Sequence, residues 1–322
     1  ANASGKSNLI FGLRVLLGII ENSATWMEDK KIPAYFPYKL SSESEHAATF
    51  FEIEFVDVSD IKFCYSIEYN QNKIINETLD FYPNGVKANI FKRTENSDWK
   101  TIKFGKHYIG GTKQLPFFKN QSYLSVAGRS AGAPQIVRDI YEFLTKRIVC
   151  LSTHDPISYL KISESYNALP ALREIASLFI PNIGINADAL IVKEIENSDP
   201  NSESTYDLYI QRKTEEGKVV EFHHHDESDG TKHLIELLPL ISAAFLRRCI
   251  LVIDELDSSL HCELAILLIK IFNDPKLNKS GSQLIFTSHN LQLMDKDIFN
   301  KEQIWFADKV GKRTKIYSLA DF

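Results

Sequence analysis

The chain has 322 residues, 44% of them hydrophobic and 25% charged, enough to bury a large core in one or two domains. A net charge of −5 argues against a surface that binds nucleic acid nonspecifically, although it leaves room for a local basic groove. No apolar stretch is long enough to span a bilayer, no signal peptide is present, and the four cysteines form no Cys-x-x-Cys pair, so a cytoplasmic, reducing setting is expected.

In chain order, Ala1-Asn2-Ala3-Ser4-Gly5-Lys6-Ser7 are the last seven positions of G-x-x-x-x-G-K-[ST], with the opening glycine just off the start. With no Met and no strand ahead of this motif, the chain is expected to be a fragment or to lack its N-terminal segment. The apolar run Leu9 to Ile20, broken by Arg14, is the helix that such a loop should open. Consecutive backbone N–H groups and a helix N-terminus cradle phosphates. The expected nucleotide-binding residues are therefore Asn2, Ala3, Ser4, Gly5, Lys6, Ser7 and Asn8, with Lys6 on the β/γ-phosphates and the Ser7 hydroxyl on Mg²⁺.

Lys30-Lys31-Ile32-Pro33 ends any helix, and the texture then changes to strands. Phe50 to Phe55, Ile61 to Tyr69, Lys73 to Phe81 and Asn89 to Arg93 carry period-two alternation, which predicts an antiparallel meander with one face on the core and one in water. Residues from about 115 to 185 are expected to be helical, on the spacing of Ile136 to Leu144 and of Leu169 to Phe179, the latter closed by Pro181. A hairpin follows, Ala189 to Ile195 with Tyr206 to Ile210, its loop spanning Glu196 to Thr205, and then a short strand Val219 to Phe222. No internal repeat and no sustained heptad array is present, which excludes a long coiled-coil arm.

Ser228-Asp229-Gly230-Thr231 precede the apolar run Leu234 to Leu246, so they open a helix with a free hydroxyl and free amides. Such a start binds anions or simply caps itself. Pro239 is expected to kink or break that helix. Next comes Cys249-Ile250-Leu251-Val252-Ile253, an apolar run that reads as a central strand buried on both faces, ending in Asp254 and Glu255. Paired acids at the end of a buried strand are costly unless a cation or substrate uses them, and the carboxyl end of such strands is where α/β sheets bind ligands.

Together the phosphate loop, a long insertion, Ser228 to Thr231, Leu251-Val252-Ile253-Asp254-Glu255, Leu256-Asp257 and Ile285-Phe286-Thr287-Ser288-His289 resemble an ABC-type AAA family ATPase. The resemblance is nearest to the single-head ATPases of bacterial abortive-infection and anti-phage systems, distantly similar to SMC and DNA-repair ABC heads. It covers nearly the whole chain, including Phe51-Glu52-Ile53-Glu54-Phe55 and the tail from Gln303 to Leu319. It implies an α/β fold, a P-loop NTPase head with a mixed central sheet, an antiparallel β lobe and a helical insertion. The expected domains are residues 1–28 with 219–322 as the nucleotide-binding core, 29–115 as the β lobe and 116–218 as the helical and mixed insertion.

For the site, the resemblance implies ATP and Mg²⁺ as ligands. Ser7 and Asp254 would hold the metal, Glu255 would be the general base, and Lys6 and His289 would complete the catalytic set, with His289 on the γ-phosphate. Asp257 would belong to a loop that communicates across a dimer. Ser228, Asp229, Gly230 and Thr231 would complete the site of a second subunit. The sequence departs from transporter-type members in carrying Asp229 where they have Gly and in lacking the following Gln. An acid there disfavours close approach to a γ-phosphate, so a different approach of the loop or slow turnover is expected. Gln71 and Gln121 are the candidates for a glutamine between the phosphate loop and the signature, and no adenine-stacking residue is identifiable.

Other clusters carry blander readings. His223-His224-His225 with Asp226 and Glu227 lie on an extended stretch whose side chains alternate faces, so one metal ion shared by all three is not expected. Arg247-Arg248 suit a helix C-terminus, and His261 a helix start. No arrangement of a nuclease or protease stands out. The expected function is a nucleotide-dependent switch or scaffold: ATP joins heads into a homodimer or higher oligomer that controls an effector protein, a nuclease or toxin. A DNA-handling ATPase of the SMC-like class is the alternative, disfavoured by the missing arm and basic surface. Nucleic acid is not indicated by charge, and no membrane partner is expected.

Overall fold

A computed structural model describes residues 4–152, 159–170, 172–174, 176–177, 187–195, 205–257 and 262–322. The chain divides into two compact units, Asn8–Ile148 and Ala1–Ser7 with Val149–Phe322. The segment after Ile148 supplies a strand to the same sheet as the acidic strand.

Helix α1 (Lys6–Asn22) carries its apolar residues at helical spacing, and Ile10, Leu16, Leu17, Ile19 and Ile20 are buried. Strands β1 (Thr49–Val56), β2 (Lys62–Tyr69), β3 (Ile74–Phe81), β4 (Ala88–Arg93) and the two-residue β5 (Lys103–Phe104) form one sheet in sequential order, every pairing antiparallel. The alternation places Phe63, Tyr65, Ile67 and Tyr69 on the buried face of β2, as the period-two pattern predicts. Cross-strand aromatics reinforce the register: Phe63 stacks on Phe55 at 5.7 Å and on Phe81 at 5.8 Å.

The buried carboxylate of Glu77 ties this sheet to the short helix α2 (Tyr123–Gly128). Its Oε1 accepts from the Tyr65 hydroxyl at 3.0 Å, the Ser122 hydroxyl at 2.8 Å and the Leu124 amide at 2.9 Å. Its Oε2 accepts from the Tyr123 amide at 2.7 Å. A carboxylate at a helix N-terminus satisfies orphan amides and opposes the dipole. Arg93, also buried, lies 3.7 Å from Glu77 and donates to the carbonyls of Gln121 and Lys119. Gln121 is consumed structurally: its side chain accepts from the Phe118 amide and donates to the carbonyls of Ala24 and Trp26. Gln71 is exposed, in the turn between β2 and β3. Helix α3 (Gln135–Glu142) and the π-turn Phe143–Arg147 close the unit.

In the other unit, β6 (Ile148–Ser152) interrupts the region expected to be helical. A four-residue apolar run, Ile148 to Leu151, after Lys146-Arg147 has no periodicity of its own and fits a helix end as well as a strand. Helix α4 (Tyr159–Ala168) follows, and the described residues from 170 to 177 are also helical, while Phe179 and Pro181 lie outside the described residues. Strands β7 (Ala189–Ile195), β8 (Thr205–Lys213) and β9 (Val219–His223) form a three-stranded sheet, with β8 antiparallel to both neighbours. The expected hairpin loop 196–204 lies outside the described residues.

Helix α5 (Asp229–Arg247) separates two cores. Leu234, Leu237 and Ile241 pack into the cluster around Leu251, Ile253, Leu268 and Phe272. Ile235 and Leu238 pack with Ile162, Tyr166, Leu190, Leu208 and Ile210. A helix apolar on two faces is buried on two faces. Of the kink or break expected at Pro239, no break occurs, and one helix runs through it. Proline leaves the carbonyl four residues earlier without its helical donor, and here the Tyr166 hydroxyl donates to the Ile235 carbonyl at 2.8 Å instead. Arg248 ends the helix in the left-handed region, φ 53°, with its amide on the Ala244 carbonyl.

Strand β10 (Ile250–Asp254) is central, with Leu251, Val252 and Ile253 no more than 1% exposed. It lies between β6 and β11 (Gln283–Phe286), the β10–β11 pairing being parallel, with helix α6 (Cys262–Asn273) between them in sequence. Strand β11 is only partly covered, since Ile285 is 50% exposed and β10 is its one partner among the described strands. The antiparallel hairpin β12 (Trp305–Val310) and β13 (Arg313–Ser318) completes the unit. All four cysteines are thiols. Among the described residues no helix is long and apolar enough to cross a membrane.

Candidate nucleotide site

Asn2 and Ala3 lie outside the described residues, and Ser4 and Gly5 lead directly into α1 at Lys6. Gly5 has φ +96°, and a Cβ there would stand 2.4 Å from the Thr314 hydroxyl of β13. That same hydroxyl donates to the Ser4 carbonyl at 2.9 Å. Glycine is therefore required twice, by its backbone conformation and by the approach of Thr314. Lys6 and Ser7 occupy the first turn of α1, where amides lack intrahelical acceptors, and Asn8 follows, exposed, in the same turn.

At the carboxyl end of β10, Asp254 accepts a 2.5 Å hydrogen bond from the Thr287 hydroxyl, just beyond β11. The next residue, Glu255, has φ +56°, and its amide donates back to the Thr287 hydroxyl at 2.8 Å. His289 joins the two ends of the chain. Its Nδ1 lies 3.3 Å from the Lys6 ammonium, and its Nε2 lies 3.6 Å from Glu255 Oε1. An ammonium only donates, so Nδ1 is the acceptor, and the ring proton sits on Nε2, facing Glu255. Asp257 holds the backbone of the same residue, each of its carboxylate oxygens 3.2 Å from the His289 amide. The structure thus brings together Lys6, Asp254, Glu255, Asp257 and His289. Asp257, expected in communication across a dimer, uses its carboxylate within its own chain.

The Ser228–Thr231 segment is a self-capped helix start. Ser228 accepts from the Thr231 amide at 3.3 Å and pairs with the Thr231 hydroxyl at 2.9 Å. Gly230 lies in the first turn of α5 beside Asp229, whose side chain is 98% exposed and lies 3.5 Å from the Lys232 ammonium. Behind the cap, Glu227 forms a two-pronged pair with Arg212 of β8, both contacts at 2.7 Å. The neighbouring histidines are committed elsewhere: His223 Nε2 lies 3.4 Å from Asp207, and its Nδ1 accepts from the His225 amide. His224 is buried, and desolvation holds its imidazole below the usual histidine range. His261 lies outside the described residues.

A family model described as "AAA domain, putative AbiEii toxin, Type IV TA system" matches residues 1–295. The chain belongs to this family. The match takes in the phosphate loop, β10 and His289, and it agrees with the abortive-infection type of AAA ATPase that the motifs resemble. The family carries the α/β fold of P-loop NTPases. None of the curated proteins searched matches the chain.

The residues present fit a nucleotide with Mg²⁺. Among the described residues the buried Ser4 hydroxyl has no hydrogen-bond partner, and it precedes a helix N-terminus, where a ligand oxygen would satisfy it. Lys6 and Ser7 follow it, and Asp254 supplies a hard oxygen donor suited to Mg²⁺. Two residues escaped sequence reasoning as parts of this site. Thr287 was legible only as part of a motif string, and Thr314 sits in a hairpin whose own pattern carries no signal. Both act through contacts that join segments far apart in the chain.

Proposed function

We propose that the chain is an ATP-binding and ATP-hydrolysing switch with the arrangement of an ABC-type head. The observation that carries this reading is the convergence of Lys6, His289 and Glu255 at the start of α1, with Asp254 next in sequence to Glu255. Membership of a P-loop NTPase family supports it. The amides of the first turn of α1 and the Ser4 hydroxyl would hold phosphate oxygens, and Lys6 would neutralise their charge. Ser7 and Asp254 would hold Mg²⁺, which would supply positive charge to neutralise the phosphates.

Glu255 takes a proton from the attacking water as the water oxygen bonds to the γ-phosphorus. The bond from that phosphorus to the bridging oxygen breaks, and its electron pair leaves with ADP. His289 fixes the Glu255 carboxylate from the other side. Ser228 and Gly230 of a second copy would close the site, with Asp229 slowing turnover by its charge. The family description names a toxin–antitoxin system, which supports a partner protein, and that partner would be a nuclease or toxin effector in anti-phage defence.

The test is turnover and native mass of the chain with Mg²⁺ and ATP. Glu255→Gln is expected to lower turnover about 10²- to 10⁴-fold and to accumulate an ATP-bound dimer. Unchanged turnover in that variant removes Glu255 as the base, and a chain that binds no Mg²⁺–ATP removes the reading altogether. A DNA-handling ATPase is the second reading, favoured by the exposed cations Lys309, Lys312, Arg313 and Lys315 on the β12–β13 hairpin. Turnover that rises on adding DNA would select it.

A further inference from the structure

Thr287 makes four hydrogen bonds to consecutive residues of the acidic turn. Its amide donates to the Ile253 carbonyl at 3.1 Å, and its carbonyl accepts from the Leu256 amide at 3.0 Å. Between these, its hydroxyl donates to Asp254 Oδ1 at 2.5 Å and accepts from the Glu255 amide at 2.8 Å. The bond to Ile253 continues the parallel pairing of β10 with β11, the bond from Leu256 closes the turn one residue out of that register, and neither needs a particular side chain. The two hydroxyl bonds are different, because they need a side chain that donates and accepts at one atom.

What those two bonds hold is otherwise poorly held. Glu255 sits at φ +56°, a left-handed conformation that is strained for a residue with a Cβ. Its amide has the Thr287 hydroxyl as acceptor. The Asp254 carboxylate is only partly buried and is free to rotate about its terminal torsion unless one oxygen is bonded. Because the hydroxyl has a single proton and gives it to Oδ1, the plane of the carboxylate is set and Oδ2 is the oxygen left for a cation. One hydroxyl therefore orients both the metal-facing acid and the backbone that carries the base.

We infer that Thr287 is a positioning residue for hydrolysis, acting through Asp254 and Glu255 without touching substrate. The role rests on the ATPase reading above. Valine has the shape of threonine and would keep the backbone bonds and the packing, while serine would keep the hydroxyl and lose only the methyl group. A merely structural contribution would be lost in proportion to packing, and a positioning one in proportion to hydroxyl.

The experiment compares the whole chain with its Thr287→Val and Thr287→Ser variants. It reads kcat, KM for ATP, the Mg²⁺ concentration giving half-maximal rate, and calorimetric binding of a non-hydrolysable ATP analogue. Partners of this second layer around a metal site typically change activity or metal affinity 10–100-fold. Thr287→Val is expected to lower kcat and to raise the Mg²⁺ requirement, each by about 10- to 100-fold, with analogue binding at saturating Mg²⁺ within about threefold of wild type. Thr287→Ser is expected to restore both to within about threefold. If Thr287→Val does not fold, Thr287→Ala replaces it under the same criteria. A valine variant with wild-type kcat and Mg²⁺ dependence overturns the inference while leaving the ATPase reading intact, and so does a serine variant as impaired as valine. A wild-type chain that binds no Mg²⁺–ATP and shows no turnover fails at the ATPase reading itself, and the role falls with it.

Discussion

The ammonium of Lys6 lies 3.3 Å from Nδ1 of His289, although 283 positions separate the two residues. The imidazole thereby links the start of the phosphate loop's helix to Glu255, 3.6 Å from its other nitrogen. The two residues should nevertheless separate in function. In the proposed ATPase, Lys6 would be a point charge offered to phosphate oxygens, whereas His289, 36% exposed, would act on the orientation of Glu255.

The expected outcome is that Lys6→Ala abolishes binding of Mg²⁺–ATP measured by calorimetry. His289→Ala should keep that binding within about threefold and lower turnover about 10²-fold, the lower end of what a positioned acid–base group contributes. Loss of binding in the His289 variant, with its melting temperature unchanged, would instead make the histidine a binding residue.

Gly5 meets two independent constraints, φ +96° and a Thr314 hydroxyl 2.4 Å from where a Cβ would stand. Relieving either one leaves the other. Gly5→Ala should weaken Mg²⁺–ATP binding at least about tenfold, the equivalent of roughly 1.4 kcal/mol, by shifting the loop. Adding Thr314→Ser should not restore it, since the hydroxyl stays, and adding Thr314→Ala should restore it only in part, since the backbone strain remains. Full recovery in the Gly5→Ala, Thr314→Ala double variant would show that the contact alone matters.

Much of this architecture is legible in the sequence for identifiable reasons. Strands β1 to β4 announce themselves by period-two alternation, and β10 by an apolar run that stops at two acids. Strand β6 is not legible, because Ile148 to Leu151 is too short for periodicity to separate strand from helix end. The partly exposed face of β11 is likewise invisible, since Leu284, Ile285 and Phe286 read as core in composition alone. At the site, residue types and order reveal Lys6, Asp254, Glu255 and His289. The contacts that hold them in place come from Thr287, Thr314 and Asp257, whose partners are 32 or more positions away. No local pattern records such distances.

Pro239 illustrates the same limit within a single helix. The sequence predicts a kink or a break, and the structure shows one helix, α5, with Tyr166 of α4 donating to the Ile235 carbonyl at 2.8 Å. Tyr166 is fully buried, and burial pushes its hydroxyl pKa well up, so the group stays protonated and remains a donor. Removing it should strand a buried carbonyl that the helix itself cannot satisfy. Tyr166→Phe is therefore expected to destabilise the fold by about 1–3 kcal/mol in urea unfolding, the cost of an unpaired buried polar group. Pro239→Ala should have a larger stabilising effect in the Tyr166→Phe background than in the wild type, because the alanine brings the missing N–H to the same carbonyl. The coupling in this double-mutant cycle should be about 1 kcal/mol or more. Strict additivity would mean that the Ile235 carbonyl finds another donor, and that Tyr166 stabilises α5 by packing alone.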